Sequence, residues 1–392
     1  MGWVRTKALT MEQPSAPSLT RWLFAGVLMA IIGVLLFILH ASGTIETLSA
    51  MNIWWVSLAP AGCWLLAFCL RCWQWDRELK EYQFLQKEAE RGQLKWEAWA
   101  GRYLAVLGSA VLLPDHISAA RWGDERPQQY GLTRRINYLP AEEPVQLSAM
   151  HALLTSIEER VQCLPEELPL YVTLITDNPS PELTSSFSNL WKEHIPGRAV
   201  PDDITVTGSF SLSEVEERLK QPVLTVNLLL VIQLNGGTAY SDGLTVLLLT
   251  SDDVAQKYHL PHSSRLLRPM PLDMTNFEDD ITLFLETQTV ACHTPSVIGD
   301  AKKWTERSAA LITQGGKMHT PWKAEDIALL EKWCGIPGPA APWLLTALAA
   351  DLVSLRKQPL LALSRSGGTG ISQPSTKKGT PSQIKSKSTT CD

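Results

Sequence analysis

Two uncharged apolar runs, residues 22–39 (WLFAGVLMAIIGVLLFIL) and 53–70 (IWWVSLAPAGCWLLAFCL), constrain this chain more than any other feature. As helices rising about 1.5 Å per residue, runs of this length reach roughly 27 Å, enough to cross a hydrocarbon core. Pro60 falls inside the second run, where a neighbouring helix can absorb the kink. Between the runs, residues 40–52 carry Glu46 but no Lys or Arg. Arg5, Lys7 and Arg21 precede the pair, and Arg71, Arg77, Lys80 and Lys87 follow it. Positive charge outside a hairpin predicts that both ends face the cytoplasm and the short loop the other side. Trp22, Trp54, Trp55, Trp73 and Trp75 fall where interfacial aromatic belts belong. A cleaved signal peptide is the competing reading of the first run. Its apolar region is longer than such regions usually are, and no small-x-small site follows.

The hairpin divides the rest of the chain. Residues 1–21 form a basic head and residues 71–101 a helical stalk rich in Glu, Lys, Arg and Gln. In the stalk, Leu79, Tyr82, Leu85 and Ala89 recur at three and four, a narrow stripe suited to self-association or to packing on a partner helix. Residues 102–364 alternate apolar runs of strand length with amphipathic helical stretches. Strands are predicted at 103–113, 170–176, 224–234, 244–250 and 360–363. Leu147, Met150, Leu153, Leu154, Ile157 and Val161 mark a helix. Ser180 with Pro181 opens another, and Ser251, Asp252 and Asp253 cap a third. Further helices are predicted at 277–289, 304–312, 324–334 and 343–356. This grammar implies an α/β domain, a mixed or mostly parallel sheet covered by helices. Residues 365–392 collapse to Ser, Thr, Gly, Lys and Pro and predict a disordered basic tail.

Charge and cysteine usage narrow the function classes. The chain carries −5 overall, while the tail carries +4 and the head +2, so the remainder holds −11. An acidic folded part argues against nucleic acid as the main partner. Seven cysteines, at 63, 69, 72, 163, 292, 334 and 391, are odd in number and dispersed, as a reduced compartment allows. Cys69 and Cys72 form a C-x-x-C, but at the end of an apolar helix instead of after a strand.

No constellation of residues predicts a reaction, a cofactor or a metal. Thr176, Asp177 and the Ser251–Asp253 group lie at strand ends, where α/β sheets hold ligands, yet each also reads as a helix cap. His259 and His262 flank Pro261 without helical i, i+4 spacing or a third ligand nearby, and His151 sits on a helix flank. Cys292 and His293 are sequence neighbours, which is not how a nucleophile and its base meet. Residues 366–372 (SGGTGIS) lack the Gly-Lys-Ser/Thr ending of a phosphate loop. Gly335, Pro337, Gly338, Pro339 and Pro342 make a rigid turn before the last helix, with docking as its functional alternative.

Three stretches carry a resemblance: residues 96–118 (WEAWAGRYLAVLGSAVLLPDHIS), 247–261 (LLLTSDDVAQKYHLP) and 331–355 (EKWCGIPGPAAPWLLTALAADLVSL). Together they resemble two-span inner-membrane proteins encoded in enterobacterial type VI secretion clusters. That resemblance implies a non-enzymatic accessory protein whose partners are secretion-apparatus proteins or an effector. A second resemblance concerns fold alone. LAVLGSAVLLP (residues 104–114) is similar to the opening strand of thiolase-like condensing enzymes, and two strand-then-helix halves suit their duplicated architecture. Those enzymes use a nucleophilic Cys on a tight strand–helix turn with His partners. Cys163, Cys292 and Cys334 lack that setting in the sequence, which implies a silent member. The alternatives are a membrane-tethered enzyme acting on acyl substrates and an immunity protein against a membrane-targeting toxin.

Overall fold

The computed structural model describes residues 3–6, 8–43, 52–123, 129–140, 143–211, 213–220, 223–364 and 368–374. The chain divides into two compact units, residues 5–95 and residues 1–4 with 96–392. The first contains helix α1 (Leu19–Ala41) and most of the uninterrupted helix α2 (Ile53–Ala100). Both are long and apolar enough to cross a membrane, and almost none of either apolar window is buried inside the protein. A soluble core helix would be covered. Leu23, Phe24, Val27, Trp54, Trp55 and Leu66 instead point outward. The two helices touch through aromatic rings and a glycine. Trp64 Nε1 donates to the Trp22 carbonyl at 3.0 Å, and Trp22 meets Phe68 at 5.3 Å. A Cβ on Gly33 would lie 2.5 Å from the Ser57 carbonyl oxygen, so only glycine permits that approach. The stripe at Leu79, Tyr82, Leu85 and Ala89 is half-buried. Beside it, Trp75 donates to the Pro14 carbonyl at 3.4 Å, and Arg5 hydrogen-bonds Gln93.

The second unit holds one ten-stranded mixed sheet. Its first half comprises β1 (Tyr103–Leu112), α3 (Val145–Gln162), β2 (Leu170–Thr176), α4 (Glu182–His194), β3 (Asp203–Thr207), α5 (Ser213–Lys220), β4 (Val226–Gln233) and β5 (Gly243–Ser251). Helix α6 (Asp252–Lys257) leads to the second half. That half comprises β6 (Ser264–Leu267), α7 (Phe277–Thr287), β7 (Ser296–Gly299), α8 (Trp304–Lys317), β8 (Ile327–Leu329), α9 (Leu330–Cys334), α10 (Ala341–Arg356), β9 (Leu360–Ser364) and β10 (Gly368–Pro374). The strand order is β3-β2-β4-β5-β1-β6-β10-β9-β7-β8. Read inward from either edge, each half places its third, second, fourth, fifth and first strands in turn. The directions repeat as well. The outer three strands of each half are parallel, and the fifth and first alternate. The halves meet where β1 pairs antiparallel with β6, so an approximate two-fold relates them.

Burial follows the same repeat. Helices α3 and α4 cover one face of the first half through Leu153, Ile157, Phe187 and Trp191. Helices α7 and α8 cover the second half through Phe277, Phe284, Trp304 and Leu311. The remaining faces share one core, into which α10 sinks on all sides. Strands β4 and β5 are buried on both faces, which is why they read as unbroken apolar runs instead of alternating ones. A register shift between Val106 and Gly108 makes a β-bulge in β1. Before it, Leu104 and Val106 face the α10 core; after it, Val111 and Leu113 do. The bulge therefore restores the burial phase and aims Ser109 at α10. Gly108 lets α3 approach closely there, since a Cβ would meet Ile157 Cδ1 at 2.4 Å and force that side chain to shift.

Several predicted boundaries shift. The stretch 324–334 is not one helix: a 3-10 turn (Ala324–Asp326) and β8 precede the short α9, because β8 completes the sheet edge beside β7. Strands β3, β6 and β7 have four or five residues, too few for periodicity to register. The tail also differs from expectation. Residues Gly368–Pro374 pair with β6 and β9, because backbone groups suffice for a strand whose neighbours are already in place. Residues 375–392 lie outside the described residues, as does the centre of the predicted loop between the spans.

Candidate functional site

The strand-end residues singled out in the sequence have structural partners. Ser251 caps α6, its hydroxyl accepting from Val254 N at 3.3 Å. Asp252 receives Arg102 Nε at 2.5 Å and Nη2 at 2.7 Å, and Asp253 receives the same Nη2 at 2.6 Å. Asp177 buckles the end of β2 to the connection between β4 and β5, accepting from Asn235 N at 2.7 Å and from Tyr240 Oη at 3.2 Å. Thr176 accepts from Asn178 N at 3.2 Å. Ser180 accepts from Glu182 N at 3.3 Å, but the helix begins at Glu182, one residue later than the sequence suggests, so Pro181 and not Ser180 stands at the cap position.

The histidines and cysteines are dispersed. His262 sits between the Leu260 carbonyl at 3.2 Å and Arg265 Nε at 3.4 Å, and burial lowers its pKa. His151 meets His194 edge-on, with ring centroids 4.5 Å apart. Among the described residues, no group of three or more His, Cys, Asp or Glu could hold a metal ion. Cys163 is exposed at the end of α3. Cys292, in a 3-10 turn, lies 3.7 Å from the Leu285 carbonyl, and burial pushes its thiol up. Cys334 is fully enclosed, and burial drives its thiol far up. A nucleophilic cysteine needs the opposite shift. Neighbouring Tyr138 is itself pushed up to about 12 by burial, with Cys334 adding to it.

Two of the cavities formed by the described residues lie along the sheet. The first opens where β1 and β6 diverge beyond Val106, and Ser109, Glu158, Arg160, Ser263 and Asp351 line its roughly 580 Å³. Asp351 projects from α10 and accepts a hydrogen bond from Ser109 Oγ. Burial pushes its carboxyl up to about 6, against the Ser109 bond, which favours the ionised form. A raised carboxyl pKa means the folded state binds the proton more tightly than the unfolded chain. Asp351 therefore favours folding at low pH, and that contribution is lost between about pH 4 and pH 6. Asp351→Asn is expected to raise the stability of the purified protein at pH 7.5 by about 2 kcal/mol and to change it little at pH 4. Thermal unfolding across that range measures it; an equal effect at both pH values would contradict the assignment.

The second cavity, about 340 Å³, lies on the other half of the shared face, over the starts of β2, β3 and β4. It exists because the two halves differ in one helix. In the second half α10 runs sixteen residues and blankets its strands, whereas its counterpart α5 has eight. Val215 and Leu219 of α5 share a core with Leu104 and Val106, and among the described residues a cavity opens beyond them. There the lining turns polar: Tyr171, Thr173 and Asn227 from the strands, Thr225 from just before β4 and Arg218 from α5. The Arg218 guanidinium lies over the Phe210 ring at 5.4 Å, and its Nη1 is buried with no hydrogen-bond partner among the described residues. Burial lowers the Arg218 pKa, opposed in part by Glu214.

No protein-family profile and no curated protein sequence matches the chain. Solved structures do match. The chain is similar to the oxazolomycin ketosynthase domain OzmH KS8 of Streptomyces albus, with 11% identity and a TM-score of 0.46, over 70% of this chain and 96% of that one. It is similar to a ketosynthase from module 1 of the bacillaene synthase of Bacillus amyloliquefaciens, with 11% identity and a TM-score of 0.47, over 72% and 77%. It is also similar to OleA of Xanthomonas campestris, with 9% identity and a TM-score of 0.42, over 70% and 99%.

Arg218, Thr173 and Asn227 were not legible as site residues. Arg218 reads as an ordinary polar position on a charged helix, SEVEERLK. One signal was available. Polar residues at alternate positions, Tyr171 with Thr173 and Thr225 with Asn227, at the starts of two largely apolar runs mark a face that core packing does not explain.

Proposed function

We propose that this protein is a membrane-anchored, non-enzymatic binding module, held at a bacterial inner membrane as an accessory of a type VI-like secretion apparatus. The observation that carries the anchored reading is Trp3. It is buried against Trp99 and Phe284 of the α/β unit, with ring centroids 5.1 and 5.7 Å away. That contact supports a reading in which the chain crosses the bilayer twice and residue 3 and the α/β unit lie on the same side. The flanking Arg and Lys residues favour the cytoplasmic side. The cysteine settings support binding over acyl transfer, since burial raises both enclosed thiols. Partners on this reading are secretion-apparatus proteins or an effector, with self-association through the α2 stripe as a further contact.

A second reading, an enzyme acting on acyl substrates, draws on the duplicated strand order, which suits a condensing-enzyme architecture. Affinity purification from detergent-solubilised membranes separates the readings. Recovery of sheath, baseplate or membrane-complex proteins is expected, and a reporter fused after Pro374 should be active in the cytoplasm. Turnover of acyl thioesters, abolished by changing one cysteine, would establish the second reading. Recovery of a single toxin would favour an immunity role.

A further inference from the structure

We infer that the cavity under α5 is a binding site for a small oxyanion, a phosphate or carboxylate group, held by Arg218. The inference rests on the binding-module reading and names the ligand class of its cavity. The first ground is chemical. A buried guanidinium without an anionic partner is costly, and Arg218 Nη1 has none among the described residues. Glu214, the acid that acts on it, makes no hydrogen bond to it, and the Phe210 ring fixes its plane. A planar fork of donors held in place suits bidentate recognition of a carboxylate or phosphate.

The second ground is the surface facing Arg218. The hydroxyls of Tyr171, Thr173 and Thr225 and the side-chain amide of Asn227 line the same cavity, and none of them has a hydrogen-bond partner among the described residues. Thr173 and Thr225 are buried as residues and line the cavity, so their hydroxyls are within it and open to a ligand. Tyr171, Thr173 and Asn227 are supplied by strands held in the ladder, which do not move to find other partners. Asp203 stands at the rim and is engaged by the Thr205 hydroxyl at 3.4 Å.

The asymmetry of the duplication gives the third ground. The equivalent place in the second half is filled by Leu345, Leu348 and Leu352 of α10, among other apolar side chains of that helix. One copy of the unit thus carries a long buried apolar helix, and the other a polar-lined cavity.

The experiment uses the full-length chain in detergent micelles, with inorganic phosphate and succinate as separate probes, and with sodium chloride at matched ionic strength as the control. Thermal unfolding and calorimetric titration are the readouts. Saturable binding of at least one probe is expected, with a midpoint that rises as the probe concentration rises. Arg218→Met is expected to fold, because it removes a buried unpaired charge, and to weaken binding at least tenfold. Asn227→Ala should weaken it less. A preference between the probes identifies which oxyanion the site takes. Binding absent in the wild type, or unchanged in both variants, overturns the inference. The partner purification is independent of these titrations. Oxyanion binding without secretion partners would refute the secretion reading alone, and partner recovery without oxyanion binding would refute this inference alone.

Discussion

Replacing Trp343 with Ala is expected to destabilise the α/β unit by about 3–5 kcal/mol, the range for truncating a fully buried aromatic side chain. Trp343 is 1% exposed and sits in the first turn of α10, within the core shared by both halves of the sheet. Its indole Nε1 donates to the Phe210 carbonyl at 2.6 Å, and the two rings lie 5.3 Å apart. Truncation therefore opens a cavity and also orphans a carbonyl at the entry to α5. For a unit of this size the loss corresponds to a fall in Tm of about 10 °C. Trp343→Phe should cost less than half as much, because it keeps most of the ring and loses the hydrogen bond. Thermal unfolding of the three purified proteins checks this. A Tm for the Ala variant within 2 °C of wild type would mean that α10 is not the buried hub described.

The second large effect is electrostatic. Arg102, immediately before β1, closes a clamp on the first turn of α6 through Asp252 and Asp253. The Asp252 side chain is 7% exposed and that of Arg102 36%. Removing the cation leaves a carboxylate buried without its counter-charge, a change that costs about 3–5 kcal/mol for a fully buried pair. One partner here reaches solvent, so about 3 kcal/mol is expected for Arg102→Ala. Arg102→Lys should recover only part, since an ammonium cannot reproduce the fork. Combining Arg102→Ala with Asp252→Ala should cost less than the two single changes added together. Additive losses in that double-mutant cycle would show that the pair contributes nothing of its own. The clamp sits next to a second buried cation. Arg268 lies 4.0 Å from the Trp99 ring and 3.7 Å from Glu216. These groups anchor the region where β1 and β6 meet.

Much of the architecture was legible in the residues because it depends on local quantities. The two spans are visible as runs without charge, since leaving water depends on composition and length alone. Strand β2 was read with its observed bounds, and β4 and β5 to within two residues at either end, because strands buried on both faces must be apolar throughout. The Ser251 cap was readable because a hydroxyl three residues before an orphan amide is a contact within one turn. The short strands β6, β7 and β8 exist through hydrogen bonds to segments distant in sequence, and no local pattern records those. The same holds for the matched strand order of the two halves, for Asp351 facing Ser109 across 242 positions, and for the polar cavity beneath α5. Each is set by which surfaces come together. A cavity left by a helix too short to cover its sheet is a difference between two distant parts of the chain, and only the folded arrangement contains both.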